Sequence, residues 1–159
     1  MYRKILTGFD GSPGARLALA EAARLGKIIE AKVTALWVQS ALPHYPETVG
    51  EIQEEKHAAT VFFGKLRREA EAVSGEAGWP VACEHRAGHP ATTLLEFAEA
   101  GKFDLIVLGH SGHSPFRARV LGHTADRVSE HAACNVLIVR KPANHSRGKG
   151  GPKPSPAKR

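Results

Sequence analysis

The chain alternates five short apolar segments of strand character with four longer segments of helical period, and this alternation constrains its fold more than any other feature. Strands that are separated by helices are typical of a parallel sheet with helices packed on it. We therefore predict an α/β fold with a five-stranded, doubly wound parallel sheet. In such sheets, ligands bind beyond the carboxyl ends of the strands, near the point where the strand order reverses.

Turn residues set the predicted element boundaries. The first strand, residues 4–9, is followed by Asp10-Gly11-Ser12-Pro13, where Ser12 is expected to cap a helix and Pro13 to occupy its first position. That helix is predicted to stop at Gly26. The other predicted strands are 32–38, 81–86, 104–108 and 136–140, and the other helices are 51–77, 90–101 and 123–133.

The longest predicted helix follows a long loop. Residues 39–50 contain Pro43 and Pro46 and form a loop of about a dozen residues, which is long for a compact domain. The helix after it shows an apolar stripe at roughly helical spacing, made up of Ile52, Ala59, Phe62 or Phe63, Leu66, Ala70 and Val73.

The positive charge is concentrated at the end of the chain. The net charge is +6, but residues 142–159 hold five basic residues, no acidic ones, and several prolines and glycines. We predict one domain over residues 1–141 and a disordered basic tail over 142–159. Two interpretations of the tail stay open: a solubilising extension with no partner, or a segment that contacts nucleic acid through its phosphates, and the tail is the only part of the chain for which such contact is considered.

Other sequence features limit the location and the chemistry. No apolar run approaches the roughly 20 residues that span a bilayer, and the start leads directly into a strand pattern, so we expect a cytoplasmic protein without membrane contact. Cys83 and Cys134 stand far apart and are interpreted as small core residues rather than as a disulfide or a zinc site.

A glycine-rich segment follows the predicted strand 104–108. Two residues separate Gly109 from Gly112, and nine separate Gly112 from Gly122. A glycine turn between a buried strand and a helix lets backbone N–H groups approach an anion. With Asp10 and Val38 at the ends of the first two strands, this segment predicts a nucleotide pocket at the carboxyl edge of the sheet.

Five ordered landmarks between Tyr2 and Arg140 resemble the universal stress protein family. They are the strand ILTGFDGS at 5–12, the Gly88-x-Pro90 turn, the strand DLIVLG at 104–109, the three-glycine loop, and HAACNVLIVR at 131–140. The resemblance implies a flavodoxin-like, Rossmann-like sheet of the adenine nucleotide α-hydrolase type, with strand order 3-2-1-4-5. It also implies a homodimer formed through strand 136–140, and that some members bind ATP, with Mg²⁺, while others do not.

The resemblance also implies which residues contact a nucleotide. Asp10 and its neighbours would lie beside the adenine and ribose, Val38 would offer its backbone to the adenine, and the glycine loop would hold the ribose and phosphates. The implied set is Gly8, Phe9, Asp10, Val38, Leu108, Gly109, Gly112, Gly122, His123 and Thr124.

One residue of this set departs from the ATP-binding pattern. That pattern has Ser or Thr directly after the third glycine, whereas this chain has His123 and then Thr124. An imidazole is larger than a hydroxyl and donates from both nitrogens only when it is protonated. Two functions therefore stay open: an ATP-binding stress-response protein regulated by nucleotide and partner, and a nucleotide-free dimeric interaction module.

Catalytic and metal sites are not predicted. Ser111 and Ser114 lie near histidines, but a glycine loop is a poor support for the fixed geometry of a nucleophile and its base, so at most slow ATP hydrolysis is expected. His110, His113 and His123 lack the spacing and the supporting ligands of a metal site.

Overall fold

The computed structural model describes residues 1–40, 48–111 and 121–141. Strands and helices alternate along the chain. They are β1 (Lys4–Gly8), α1 (Pro13–Ile29), β2 (Lys32–Gln39), α2 (Val49–Ala77), β3 (Val81–Ala87), α3 (Pro90–Ala100), β4 (Leu105–Gly109), α4 (His123–His131) and β5 (Asn135–Val139).

All five strands form one parallel sheet with the order β3-β2-β1-β4-β5. The predicted fold class and strand order are confirmed. Strand order reverses between β1 and β4, which pair from Ile5 opposite Leu105 to Thr7 opposite Val107. The carboxyl ends of these two strands are therefore the expected place for a ligand.

Helices cover both faces of the sheet. Alanines of α1 pack on Ile5, Val33 and Val107 on one face, where Leu66 and Ala70 of α2 extend the same layer. Residues of α3 and α4 pack against Leu6, Leu36 and Ile106 on the other face. Because successive side chains of a strand point to opposite faces, each central strand contributes to both layers.

The predicted caps of α1 and α3 are largely confirmed. Ser12 is the N-cap of α1, where its Oγ accepts a hydrogen bond from the Ala15 N–H at 3.2 Å, and Pro13 follows it. At the end of α3, the Gly101 N–H donates to the Phe97 carbonyl at 3.0 Å.

Gly26 does not stop α1, so that prediction was wrong. The helix continues to Ile29 and ends at Glu30, which adopts a left-handed conformation with φ 56°. Gly26 is buried inside the helix, where a Cβ would lie 2.6 Å from Val33 Cγ2 and 2.8 Å from Trp79 Nε1. Its role is close packing of the helix against β2 and Trp79.

Helix α2 begins two residues earlier than predicted and is mostly exposed in its first half. Thr48 and Glu51 form a reciprocal capping box at its start. Of the predicted apolar stripe, only Leu66 and Ala70 are buried, while Phe62 is 41% exposed. A helix of 29 residues is about 43 Å long, whereas a strand of five to eight residues spans roughly 17–26 Å. The first half of α2 therefore extends beyond the carboxyl edge of the sheet.

Several predictions fall on residues outside the described ranges. These are Gly112 and the centre of the glycine loop, the prolines at 43 and 46, and the basic tail 142–159. Within the described ranges, no helix is long and apolar enough to cross a membrane.

The buried hydroxyl of Thr7 provides a test of how polar groups in the core affect stability. It is fully buried in β1, and its Oγ1 has no hydrogen-bond partner among the described residues. An unsatisfied buried hydroxyl costs about 1–3 kcal/mol. We expect Thr7→Val to raise the free energy of unfolding by about 1 kcal/mol in urea denaturation, because it removes that hydroxyl and keeps the branched shape.

The matched control is Thr7→Ser, which keeps the hydroxyl and deletes the methyl group. Its free energy of unfolding is expected to fall by about 1 kcal/mol. A Thr7→Val protein less stable than the wild type would show that the hydroxyl is satisfied after all.

Candidate functional site

A cavity of about 620 Å³ lies at the carboxyl edge of the sheet. The ends of β1, β2 and β4 form its floor, and the beginnings of α1, α3 and α4 together with Phe62 of α2 form its sides. It therefore sits where the strand order reverses, the position expected for a ligand site in this fold.

The turn after β1 is fixed by its own hydrogen bonds. The Phe9 N–H donates to the Leu36 carbonyl at 2.9 Å, which extends the pairing with β2 by one residue. Asp10 Oδ1 accepts from the Ser12 N–H at 2.9 Å, forming an Asx turn. Gly11 has φ +78°, and a Cβ there would lie 2.9 Å from Leu66 Cδ2. Asp10 is thus a turn residue whose exposed side chain also lines the cavity.

The end of β2 presents different side chains to the two faces of the sheet. Leu36 and Val38 pack with the core layer of α3 and α4, while Trp37 packs with the layer of α1 and α2. All three line the cavity, which therefore wraps over the carboxyl end of this strand.

Trp37 is held by aromatic neighbours. The ring of His85 stacks on it with centroids 4.6 Å apart, and Phe63 lies nearly parallel at 6.1 Å. A hydrogen bond of 3.2 Å also links His85 Nε2 to the side-chain oxygen of Gln39. Burial, and to a lesser extent the Arg86 guanidinium, lower the pKa of His85. The lowered pKa favours the neutral ring in this stack.

The end of β4 is packed closely against α1. A Cβ on Gly109 would lie 2.5 Å from the carbonyl carbon and oxygen of Gly14, and a Cβ on Gly14 would collide with the carbonyl oxygen of Ser111. Both positions require glycine in this arrangement. The Gly122 N–H donates to the His110 carbonyl at 2.8 Å and so joins the two ends of the glycine loop.

The first turn of α4 faces the cavity. Gly122, His123, Thr124 and Ala125 all line it. Gly122 is the N-cap, and no side chain of the described residues caps this helix. The N–H groups at a helix N-terminus carry partial positive charge and favour an anion. The His123 ring also meets the His89 ring edge-on, with centroids 6.4 Å apart.

The structure brings nine of the ten predicted site residues together around this cavity, and the tenth, Gly112, lies outside the described residues. The nine are Gly8, Phe9, Asp10, Val38, Leu108, Gly109, Gly122, His123 and Thr124. Their contact with a ligand stays a prediction.

Sequence reasoning missed two aromatic residues that line the cavity. Trp37 directly precedes Val38, so its position beside the site could have been inferred from the strand. Phe62 gave no such signal, because its place depends on how far α2 extends past the sheet.

The lining combines an apolar and aromatic floor with few ionisable groups. Asp10 and His123 are the ionisable side chains among the lining residues of the described chain. No group of three or more His, Cys, Asp or Glu suited to a metal ion occurs in the described ranges. This arrangement fits an organic ligand with a flat apolar part and an anionic part.

Comparison with known proteins identifies the family. The sequence model of the Universal stress protein family matches residues 1–140. The chain is 33% identical to the universal stress protein MJ0531 of Methanocaldococcus jannaschii, covering 89% of this chain and 84% of that protein.

Solved structures agree. Universal stress protein UspA from Lactobacillus plantarum superposes with a TM-score of 0.75 at 30% identity, covering 87% of this chain and 98% of that one. A universal stress protein in complex with cAMP superposes with a TM-score of 0.66 at 24% identity, covering 87% of this chain and 97% of that one. A universal stress protein family protein from Arabidopsis thaliana with AMP bound superposes with a TM-score of 0.59 at 15% identity, covering 92% of this chain and 97% of that one. With the family match over nearly the whole described chain, these similarities establish that the chain belongs to the universal stress protein family.

Proposed function

We propose that this protein is a cytoplasmic, nucleotide-binding universal stress protein that takes ATP into the cavity and acts in the stress response through nucleotide- and partner-dependent regulation. The observation that supports this proposal is that one cavity joins the ends of β1, β2 and β4 to the first turn of α4, which no side chain of the described residues caps. Its volume of about 620 Å³ lies within the range of small-molecule sites.

The residues suit the parts of an adenine nucleotide. The Val38 backbone is available to the adenine edge, and the Asp10 carboxylate can accept hydrogen bonds from ribose hydroxyls. The N–H groups and the Thr124 hydroxyl in the first turn of α4 suit phosphate oxygens. Two proteins of the same fold, one described with cAMP and one with AMP, support this class of ligand.

The same lining argues for binding rather than for efficient catalysis. Asp10 is the carboxylate among the described lining residues, so a Mg²⁺ ion that arrives with ATP would be held mainly by phosphate oxygens and water. We propose at most slow ATP hydrolysis.

The test is to purify the protein under native conditions, identify any copurifying nucleotide by chromatography, and titrate the emptied protein with ATP and AMP by calorimetry. We expect saturable binding with one site per chain. The absence of affinity at millimolar nucleotide would overturn the proposal and favour the second candidate, a nucleotide-free dimeric interaction module. His123, in the place of a hydroxyl residue, is the observation that favours the second candidate.

The presence of His123 in place of a hydroxyl residue predicts how a substitution there changes the affinity for ATP. We expect His123→Ser to tighten ATP binding about tenfold, because a small hydroxyl can donate to a phosphate oxygen and a hydrogen bond to a charged group contributes about 1.5–3 kcal/mol. Calorimetric titration measures the change.

His89→Ser is the matched control, since His89 packs against His123 but does not line the cavity. Its affinity for ATP should stay within about twofold of the wild type. Unchanged or weaker binding in His123→Ser would refute the assignment of His123 to the phosphate end.

We also propose a homodimer through β5. This strand ends the sheet beyond β4, and Leu137 at its centre is 37% exposed. An edge strand presents backbone donors and acceptors that a second copy can pair with, and a two-fold axis brings the centre of the strand near itself.

Leu137→Arg should therefore convert the dimer to a monomer, because the axis would place like charges together. Light scattering at micromolar concentration measures the mass. Ile28→Arg, at a site on α1 that is 79% exposed, is the control and should remain dimeric. A monomeric wild-type protein would contradict the proposal.

A further inference from the structure

We propose that Trp37 and Phe62 form an aromatic wall on which the base of the bound nucleotide stacks, and that this wall makes the site selective for purine over pyrimidine nucleotides. The inference rests on the proposed function, since it assigns residues to the base end of the same cavity. Phe62 enters from α2, an element to which the sequence pattern assigned no ligand contact.

Trp37 is a fixed platform. It lies two residues before the end of β2 and is a lining residue of the cavity, and the rings of His85 and Phe63 pack against its ring. A ring held in this way loses little conformational freedom when a ligand binds, so more of the stacking energy appears as affinity.

Phe62 is the exposed part of the wall. It lies where α2 passes the edge of the sheet, with its ring centroid 5.1 Å from that of Trp37 and the two planes inclined by 57°. The residue is 41% exposed, although it adjoins an apolar cavity. A base that enters the cavity would cover apolar surface of Phe62 that the described residues leave exposed.

The cavity has two chemically different ends. Trp37 and Phe62 lie with Val38 at the β2 end, whereas His123 and Thr124 lie at the α4 end. A nucleotide carries the same polarity, with a flat base at one end and phosphates at the other. Binding with the phosphates at α4 therefore directs the base toward the aromatic wall.

Stacking on the aromatic wall predicts selectivity between classes of base rather than between individual bases. Every base has a π face, so stacking does not by itself separate adenine from guanine. A purine covers more of two adjacent rings than a pyrimidine does, and burial energy follows the area covered. The wall therefore favours purines as a class, and any preference for adenine must come from hydrogen bonds at the base edge.

The experiment compares the wild type with Phe62→Ala by calorimetry, using ATP, UTP and ribose 5-phosphate. Loss of one base–aromatic contact is expected to weaken ATP binding about 5- to 140-fold. The affinity for UTP should fall by a smaller factor. Ribose 5-phosphate, which has no base, should bind the two proteins with equal affinity. Val61→Ala is the control, because Val61 is the neighbouring residue of α2, is 58% exposed and does not line the cavity.

Tryptophan fluorescence tests whether the bound nucleotide lies against Trp37. The Trp79→Phe variant leaves Trp37 as the single tryptophan, and ATP should quench its fluorescence in saturable fashion. Trp79 itself donates to the Ala31 carbonyl at 2.9 Å and does not line the cavity.

The outcomes separate the two proposals. If the wild type binds no nucleotide, the proposed function fails and this inference fails with it. If ATP binds but Phe62→Ala binds it equally well, the aromatic wall is refuted while the proposed function stands. Equal weakening of ATP and ribose 5-phosphate would also refute the wall, because it would show a general change in the cavity rather than lost stacking.

Discussion

The close packing of Gly109 against Gly14 is the contact on which the candidate site depends. It brings the end of β4 against the first turn of α1, where the carbonyl oxygen of Ser111 also packs against Gly14. The hydrogen bond between Gly122 and His110 then fixes the start of α4 beside the end of β4. The α4 end of the cavity is thus shaped by backbone contacts, and at Gly14 and Gly109 these contacts leave no room for a side chain.

The other end of the cavity depends on the length of a helix. The strands of the sheet are short, whereas α2 has 29 residues, so its first half has no sheet to cover. This extension carries Phe62 to the edge of the cavity, where it meets Trp37. Most helices of this fold serve to cover the sheet, but here the surplus length adds an aromatic residue to the candidate site.

Sequence patterns predicted what local chemistry determines. The alternation of elements, the cap at Ser12 and the strand ends that carry Asp10 and Val38 all follow from short-range signals, and the structure agrees with them. The prediction for Gly26 was wrong because a glycine that ends a helix and one that allows close packing look alike in sequence. The structure distinguishes the two roles, since Val33 and Trp79 pack so closely on Gly26 that they leave no room for a Cβ. The apolar stripe of α2, predicted with Phe62 or Phe63 at one position, is only partly buried for a related reason. Helical period identifies the apolar face of a helix but not how much of that face the sheet covers.

The two ends of the cavity would have different roles in regulation. A ligand shifts a protein between two states only through interactions that differ between those states. ATP and AMP share the base and differ in phosphates, so contacts at Trp37 and Phe62 would supply affinity common to both. Discrimination between them would fall to the first turn of α4, which contains His123. That helix leads directly into β5, the proposed dimer strand, from His131 to Asn135. A signal that depends on phosphate number would therefore have its shortest structural route through α4 to the edge of the sheet, whereas occupancy by any purine nucleotide would be sensed at α2.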